Sequence, residues 1–290
     1  MDSNTGTANC RYNDNGEENT AHTATDTTAD GTIDMVTGGG DRYQQLRQMV
    51  RASRSVVFFG GAGVSTESGI PDFRSSDGLY SLIYPHPPEV MLGHSFYQTH
   101  RDEFFAFYRD KVLDGILAAQ PNAAHRVLAA LEAAGHVCAV VTQNIDGLHQ
   151  TAGSRVVYEL HGSVKRNYCE ACEAFYSGAE LLALPQGPGW PRCARPSCGG
   201  AIKPDVVLYE EALDTGVMQA AATAIAAADV LIVGGTSLVV NPAASLIQLF
   251  KGKDLVIINK SPTVCDYRAS LRFDEPIGRV LAATFADVLD

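Results

Sequence analysis

Residues 55–65 read SVVFFGGAGVS, and this stretch decides the fold. Four large apolar residues in a row predict a strand that is buried on both faces, and the glycines after them predict a tight turn into a helix. Further strands rich in Val and Ile are predicted at 137–142, 156–160, 229–234 and 254–259, with helices between them. This alternation is typical of a parallel sheet with helices on both faces, the doubly wound α/β fold.

Composition excludes several classes of protein. The 290 residues are 46% apolar, which suffices for one large core or two smaller ones. The chain has 33 acidic and 22 basic residues, a net charge of −11, which argues against a dedicated nucleic-acid binder because phosphate contacts need a basic face. No uncharged apolar run approaches the length of a membrane span. The seven cysteines are an odd number and no secretory signal is visible, so we expect a cytoplasmic protein without a disulfide framework.

The first 40 residues differ in composition from the rest of the chain. Residues 1–40 are rich in Thr, Asn, Asp and Gly and have almost no large apolar side chains. Such a segment cannot bury enough surface to offset its chain entropy, so a disordered acidic tail is predicted. It is too acidic for a mitochondrial transit peptide. We expect a solvated leader, with a regulatory tail as the alternative.

A four-cysteine segment, residues 166–201, interrupts the α/β pattern. Its two pairs, Cys169 with Cys172 and Cys193 with Cys198, can each point two thiolates at one position from a tight turn. Four thiolates predict a tetrahedral zinc site, and because they close the coordination shell the zinc is predicted to be structural. Free thiols or two disulfides are the alternatives.

The glycine loop at 61–66 lies where a doubly wound sheet binds nucleotides. Glycines let the backbone approach a pyrophosphate, and a helix beginning there would favour negative charge. The spacing matches neither the GxGxxG fingerprint nor the P-loop, so a plain turn is the alternative. Beyond Pro71, Phe73 and Arg74 stand on a predicted loop. An aromatic ring beside an Arg suits stacking on a cofactor and holding its phosphate or ribose.

Polar residues also follow the next two predicted strands. QNIDGLH at 143–149 continues directly from the strand 137–142, and His161 ends the strand 156–160. Ligands bind at the carboxyl ends of strands in such sheets. A histidine at that place is a candidate general base.

These motifs occur in one order along the chain. They are GAGVSTESGIPDFR (61–74), TQNIDGLH (142–149), ELHG (159–162), GTSLVV (235–240) and INK (258–260), with the two cysteine pairs between the third and the fourth. Together they strongly resemble the sirtuin family of NAD-dependent protein deacylases, over about residues 41–290. The acidic tail lies outside the resemblance.

The resemblance implies two domains with a cleft between them. A Rossmann-type NAD-binding domain would comprise 41–165 and 202–290, and a small zinc-ribbon module 166–201, which a helical segment at about 75–110 would join. NAD would be the co-substrate, one zinc ion would be structural, and acetylated protein lysines would be the partners. A monomer without a nucleic-acid or membrane partner is expected.

The resemblance also implies roles for single residues. NAD's phosphates and nicotinamide ribose would contact Ala62, Gly63, Thr66, Phe73 and Arg74. The ribose and nicotinamide pocket would be formed by Gln143, Asn144, Ile145 and Asp146. The adenosine half would contact Thr236, Ser237, Asn259, Lys260 and Ile277. The catalytic residues would be His161, Asn144 and Asp146.

In the implied reaction, the amide oxygen of acetyl-lysine displaces nicotinamide from C1′ of the ribose. His161 then takes a proton from a ribose hydroxyl, Asn144 and Asp146 hold the carboxamide, and Phe73 shields C1′ from water. The products would be free lysine, nicotinamide and an acetylated ADP-ribose. Because the base must be a neutral imidazole, activity should fall at acidic pH.

The substrate peptide would pair between two edges, 204–211 and 238–242. Its predicted contacts are Val206, Val207, Leu208 and Val239. Residues 208–210 read Leu-Tyr-Glu where an aromatic followed by Gly is usual in the family, so this loop departs from the pattern. Family members that remove acidic acyl groups carry a Tyr and an Arg where this chain has Phe105 and Tyr108. A pocket without a cation favours acetyl or short neutral acyl groups.

Other functions share these features. NAD-dependent mono-ADP-ribosylation would use the same pocket with a different nucleophile. A non-catalytic NAD-sensing or interaction module would need neither His161 nor Asn144. A hydride-transferring dehydrogenase is disfavoured because the GxGxxG fingerprint is absent.

Overall fold

The computed structural model describes residues 39–72, 84–184 and 189–289. Most of the predicted tail, the predicted cofactor contacts Phe73 and Arg74, and the first part of the predicted helical segment therefore lie outside the described residues. Within the described ranges, every helix is too short or too polar to span a bilayer.

Nine strands are present in the described residues. They are β1 (Val56–Gly60), β2 (Val137–Thr142), β3 (Val157–Glu159), β4 (Gly162–Cys169), β5 (Phe175–Ser177), β6 (Ile202–Val206), β7 (Val230–Gly234), β8 (Asp254–Ile258) and β9 (Leu271–Phe273). The α-helices are α1 (Gly39–Ala52), α2 (Pro88–Met91), α3 (His94–Thr99), α4 (Arg101–Tyr108), α5 (Asp114–Ala118), α6 (Ala123–Ala133), α7 (Leu148–Ala152), α8 (Gly178–Ala183), α9 (Thr215–Ala227) and α10 (Ile277–Thr284).

Six strands form a parallel sheet in the order β3-β2-β1-β7-β8-β9. Counted along the chain within this sheet, the order is 3-2-1-4-5-6, which is that of dinucleotide-binding folds. Neighbouring residues of a strand point to opposite faces: Phe58 packs with α1, α6 and α10, and Phe59 packs with α9. The predicted doubly wound fold is confirmed.

A second sheet of three antiparallel strands has the order β5-β4-β6. Gly162 pairs with Val206 at one end of the β4–β6 ladder and Cys169 with Ile202 at the other. The small sheet therefore extends from residue 162 to residue 206, beyond both ends of the predicted module at 166–201. The reason is that β4 pairs with β6 up to both ends of the two strands.

The helical segment packs on this small sheet. Helices α2 to α5, with a π-helical turn at Arg109–Leu113, continue to Ala118, beyond the predicted end near residue 110. Their aromatic side chains, among them Phe104 and Tyr108, share one buried cluster with Val164 of the sheet. Burying an aromatic side chain contributes about 1.5–3 kcal/mol, so this cluster holds the segment and the sheet together as a small domain.

Candidate functional site

Two glycine-containing loops meet at the centre of the large sheet, where the strand order reverses between β1 and β7. Gly61 N donates to Gly234 O at 3.2 Å, and Gly63 N donates to Gly235 O at 2.8 Å. A Cβ on Gly63 would lie 2.8 Å from Gly235 Cα, and Gly235 itself has φ +58°. The two backbones therefore touch without side chains between them, at the crevice where such sheets bind nucleotides.

The chain after β1 is not the α-helix that the sequence predicts. Two 3₁₀ turns follow instead, Ala62–Val64 and Thr66–Ser68, and Gly69 with φ +82° ends the second. Thr66 Oγ1 donates to Gly63 O at 3.0 Å. Backbone contact with the loop after β7 fixes the first residues of this segment. Pro71 limits its other end, so too few residues remain between them for a regular helix.

A buried hydrogen-bond chain joins this loop to the one after β2. Ser65 Oγ donates to Asp146 Oδ2 at 2.7 Å and accepts from Asn144 Nδ2 at 3.0 Å. Asp146 Oδ1 accepts from Leu148 N at 2.8 Å. Because the amide nitrogen of Asn144 is committed to Ser65, its amide oxygen is turned away from that hydroxyl. Sequence reasoning missed Ser65 as the link, since nothing local to either motif pairs it with the other.

His161 lies against the same loop. Its Nδ1 is 2.8 Å from Gln143 O. A carbonyl oxygen can only accept, so Nδ1 carries a proton, and in the neutral ring Nε2 keeps a lone pair. Burial lowers the pKa of His161, and the bond to Gln143 O opposes this in part. The geometry thus favours a neutral imidazole with a basic Nε2.

Gln143 connects the parts of the site. Its backbone N donates to Gly60 O at 3.0 Å, and its Nε2 donates to Thr236 Oγ1 at 3.1 Å. The predicted nicotinamide residues, the glycine loop and His161 are therefore brought together around the ends of β1, β2, β3 and β7.

The predicted adenosine contacts follow the next strands. Thr236 and Ser237 come after β7, and Asn259 and Lys260 come after β8. Ile277 is buried at the start of α10, where its side chain covers Gly234. Gly278 N donates to Glu67 Oε2 at 2.7 Å, and this bond ties α10 to the glycine loop.

Four of the six predicted peptide contacts are buried. Val206, Leu208, Phe105 and Tyr108 lie in the buried cluster of the small domain, and the predicted nicotinamide-pocket residue Ile145 packs against it.

Two further predicted peptide contacts, Val207 and Val239, are not part of this cluster. Val207 N donates to His161 O at 3.0 Å, and Val239 is 52% exposed.

The loop after Leu208 keeps the backbone shape that glycine favours. Glu210 has φ +74°, in the left-handed region that favours glycine. Its carboxylate accepts from Ser95 N at 2.8 Å and from Ser95 Oγ at 2.6 Å. These bonds lower the pKa of Glu210 and hold the loop to α3, which offsets the backbone strain.

The four cysteines converge on one point. Their sulfur atoms all lie within 4.8 Å of one another, and Cys169 to Cys198 and Cys172 to Cys193 are both 3.6 Å. Zinc–sulfur bonds of about 2.3 Å place the corners of a tetrahedron about 3.8 Å apart, so the set fits one zinc ion. A disulfide needs about 2.05 Å, which excludes the disulfide alternative for this cluster.

Two buried histidines lie behind Asp146. The rings of His125 and His149 are 4.7 Å apart, and His149 packs on Phe58. Burial lowers the pKa of His125 to about 4, although the charge of Asp146 opposes this. Burial also lowers the pKa of His149, and the neighbouring His125 adds to that effect. Both rings are therefore neutral at neutral pH.

A family model and curated relatives point to the same family. A model of the Sir2 family matches residues 61–242. A protein from Clostridium acetobutylicum named NAD-dependent protein deacetylase is 53% identical, over 83% of this chain and 97% of its own length. A protein of the same name from Cutibacterium acnes is also 53% identical, over 83% of this chain and 96% of its own length.

Solved structures agree with the relatives. A Sir2 structure with a deacetylated p53 peptide and 3′-O-acetyl ADP ribose has a TM-score of 0.76 at 35% identity, over 84% of this chain and 98% of that one. Another Sir2 structure, with a p53 peptide and NAD⁺, has a TM-score of 0.74 at 36% identity, over 84% of this chain and 97% of that one.

Proposed function

The chain belongs to the Sir2 family, and we propose that it removes acetyl groups from protein lysines with NAD as co-substrate, releasing nicotinamide, O-acetyl-ADP-ribose and free lysine. The observation that carries the proposal is the position of His161. Its protonated Nδ1 is held by Gln143 O, in the loop that also presents Asn144 and Asp146. The base is thus hydrogen-bonded to the loop that presents the carboxamide-binding pair.

NAD, when bound, supplies the ribose carbon that releases nicotinamide and accepts the acetyl oxygen. His161 Nε2 takes a proton from a ribose hydroxyl. Asn144 and Asp146 hydrogen-bond the carboxamide, and Ser65 keeps both side chains oriented. The glycine loop leaves room for the phosphates, with Thr66 beside it.

The remaining predicted cofactor contacts complete this assignment. Thr236, Ser237, Asn259, Lys260 and Ile277 serve the adenosine half. Phe73 and Arg74 serve the ribose and phosphates. One zinc ion is held by the four cysteines and supports the small domain without taking part in the chemistry.

The acyl group is neutral and short. Phe105, Tyr108, Val206 and Leu208 are buried and belong to one apolar cluster. A carboxylate brought into such surroundings loses its hydration without gaining a cation, which disfavours succinyl groups. A cytoplasmic location and a monomeric state stay predictions from the sequence.

The test uses the full chain, NAD and an acetyl-lysine peptide, with mass spectrometry of the small products. O-acetyl-ADP-ribose and nicotinamide in equal amounts are expected. His161→Ala should abolish turnover but leave NAD affinity within about threefold, whereas His86→Ala, at an exposed histidine of the helical segment, should act like wild type. Label from NAD fixed on protein without deacetylation would instead make the protein an ADP-ribosyltransferase.

A further inference from the structure

Tyr176 lies on β5 with its hydroxyl against the cysteine cluster. Ala194 N donates to Tyr176 Oη at 2.8 Å. Tyr176 Oη lies 3.2 Å from Cys193 Sγ. The backbone N–H can only donate, so it occupies a lone pair of the hydroxyl, and the single hydroxyl proton is left for the sulfur. The direction of both hydrogen bonds is therefore determined.

We propose that Tyr176 is a positioning residue of the zinc centre, which slows zinc loss by donating a hydrogen bond to the Cys193 thiolate. The inference goes beyond the deacetylase activity and does not depend on it. Four thiolates around one Zn²⁺ leave excess negative charge on sulfur. A donor to one sulfur reduces that charge and keeps the ligand oriented toward the metal.

Both cysteine pairs contain a sulfur atom that accepts a hydrogen bond. Cys169 Sγ accepts from Ala171 N at 3.4 Å, a backbone donor within its own turn. Cys193 belongs to the other pair, and the hydroxyl that donates to its sulfur is that of Tyr176, on strand β5. Tyr176 therefore connects the second pair to the sheet that carries the first, which a donor local to the turn would not do.

The hydroxyl is held in place from both sides. The main-chain oxygen of Tyr176 accepts from Asn167 Nδ2 at 3.1 Å, and Asn167 is fully buried in β4. The ring packs both on the cysteine cluster and on the aromatic cluster of the helical segment. Because backbone and ring are both fixed, little rotamer freedom is lost when the hydroxyl binds sulfur. This pre-organisation favours a lasting hydrogen bond.

The test measures zinc release from the full-length protein to a chromophoric chelator. Tyr176→Phe removes one oxygen and keeps the ring, so the fold should be retained, as circular dichroism will check. Loss of a hydrogen-bond partner of a metal ligand typically weakens metal affinity 10- to 100-fold, so release should be about 10-fold faster or more. Tyr168→Phe is the matched control, because Tyr168 is 40% exposed on the adjacent strand and no described hydrogen bond joins it to a cysteine.

A second measurement separates hydrogen bonding from packing. With Co²⁺ in place of zinc, the thiolate-to-cobalt absorption band should move to lower energy in Tyr176→Phe and stay unchanged in Tyr168→Phe. Release at the wild-type rate would overturn the proposal. So would faster release with an unmoved band, since the ring and not the hydroxyl would then be responsible. A wild-type protein that holds no zinc would overturn it as well.

Discussion

Replacing Ser65 by Ala should separate the two loops that form the nicotinamide side of the site. Ser65 is 1% exposed, and its hydroxyl joins Asn144 Nδ2 and Asp146 Oδ2. The substitution removes one oxygen and leaves a buried amide N–H and a carboxylate oxygen without this partner. Asp146 keeps its second bond, from Leu148 N, so the loop should loosen without unfolding.

The magnitude follows from these two bonds. A buried polar group left without a partner costs about 1–3 kcal/mol, with charged groups at the upper end. We expect a loss of about 3 kcal/mol in unfolding free energy, which lowers Tm by about 6–12 °C in a domain of this size. If the same interaction supports the transition state, kcat/KM should fall about 100-fold.

The assay combines thermal unfolding with steady-state deacetylation at varied NAD. Ser245→Ala is the control, because Ser245 is exposed and its hydroxyl, among the described residues, bonds Pro242 O at 2.6 Å. It should change stability by less than about 0.5 kcal/mol. A Ser65→Ala protein with wild-type Tm and kcat/KM would refute the reasoning, since the buried chain would then contribute nothing.

Three further outcomes are expected. The acidic limb of kcat/KM against pH should lie below about 6.5, because burial lowers the pKa of His161 and keeps it neutral. Stability should fall between pH 7.5 and pH 5 in urea titrations, and His125 should account for about 2 kcal/mol of that loss, because its pKa is about 4 when folded and near 6.5 when unfolded. The buried His149 adds to the loss in the same direction. His125→Gln should remove the share of His125. Gly235→Ala should abolish NAD binding in calorimetry, because its Cβ would lie 2.4 Å from Val64 N at φ +58°.

Each of these has a contradicting result. An activity limb above pH 7 would mean that His161 is not the titrating base. A pH dependence of stability that is unchanged in His125→Gln would assign the loss to other groups. Wild-type NAD affinity in Gly235→Ala would show that the two glycine loops move independently, against the close approach of Gly63 and Gly235.

The sequence alone determined the elements whose signal is local. Continuous apolar runs such as 56–59 and 137–141 predict buried parallel strands, because burial on both faces leaves no polar positions. The spacing of the cysteines predicts a metal site, because each pair chelates from one turn. The order of the motifs identifies the family, which the comparisons confirm.

The tertiary structure alone decided what depends on distant partners. The 3₁₀ turns after β1 replace a predicted helix because that loop is fixed by backbone contact with Gly235, far along the chain. The limits of the small sheet come from the pairing of β4 with β6. The roles proposed for Ser65 and Tyr176 depend on hydrogen bonds to residues distant in the chain, from Ser65 to Asn144 and Asp146 and from Tyr176 to Cys193. Such contacts leave no periodic trace in a sequence, because packing brings the two partners together and neither residue's own neighbours encode the other.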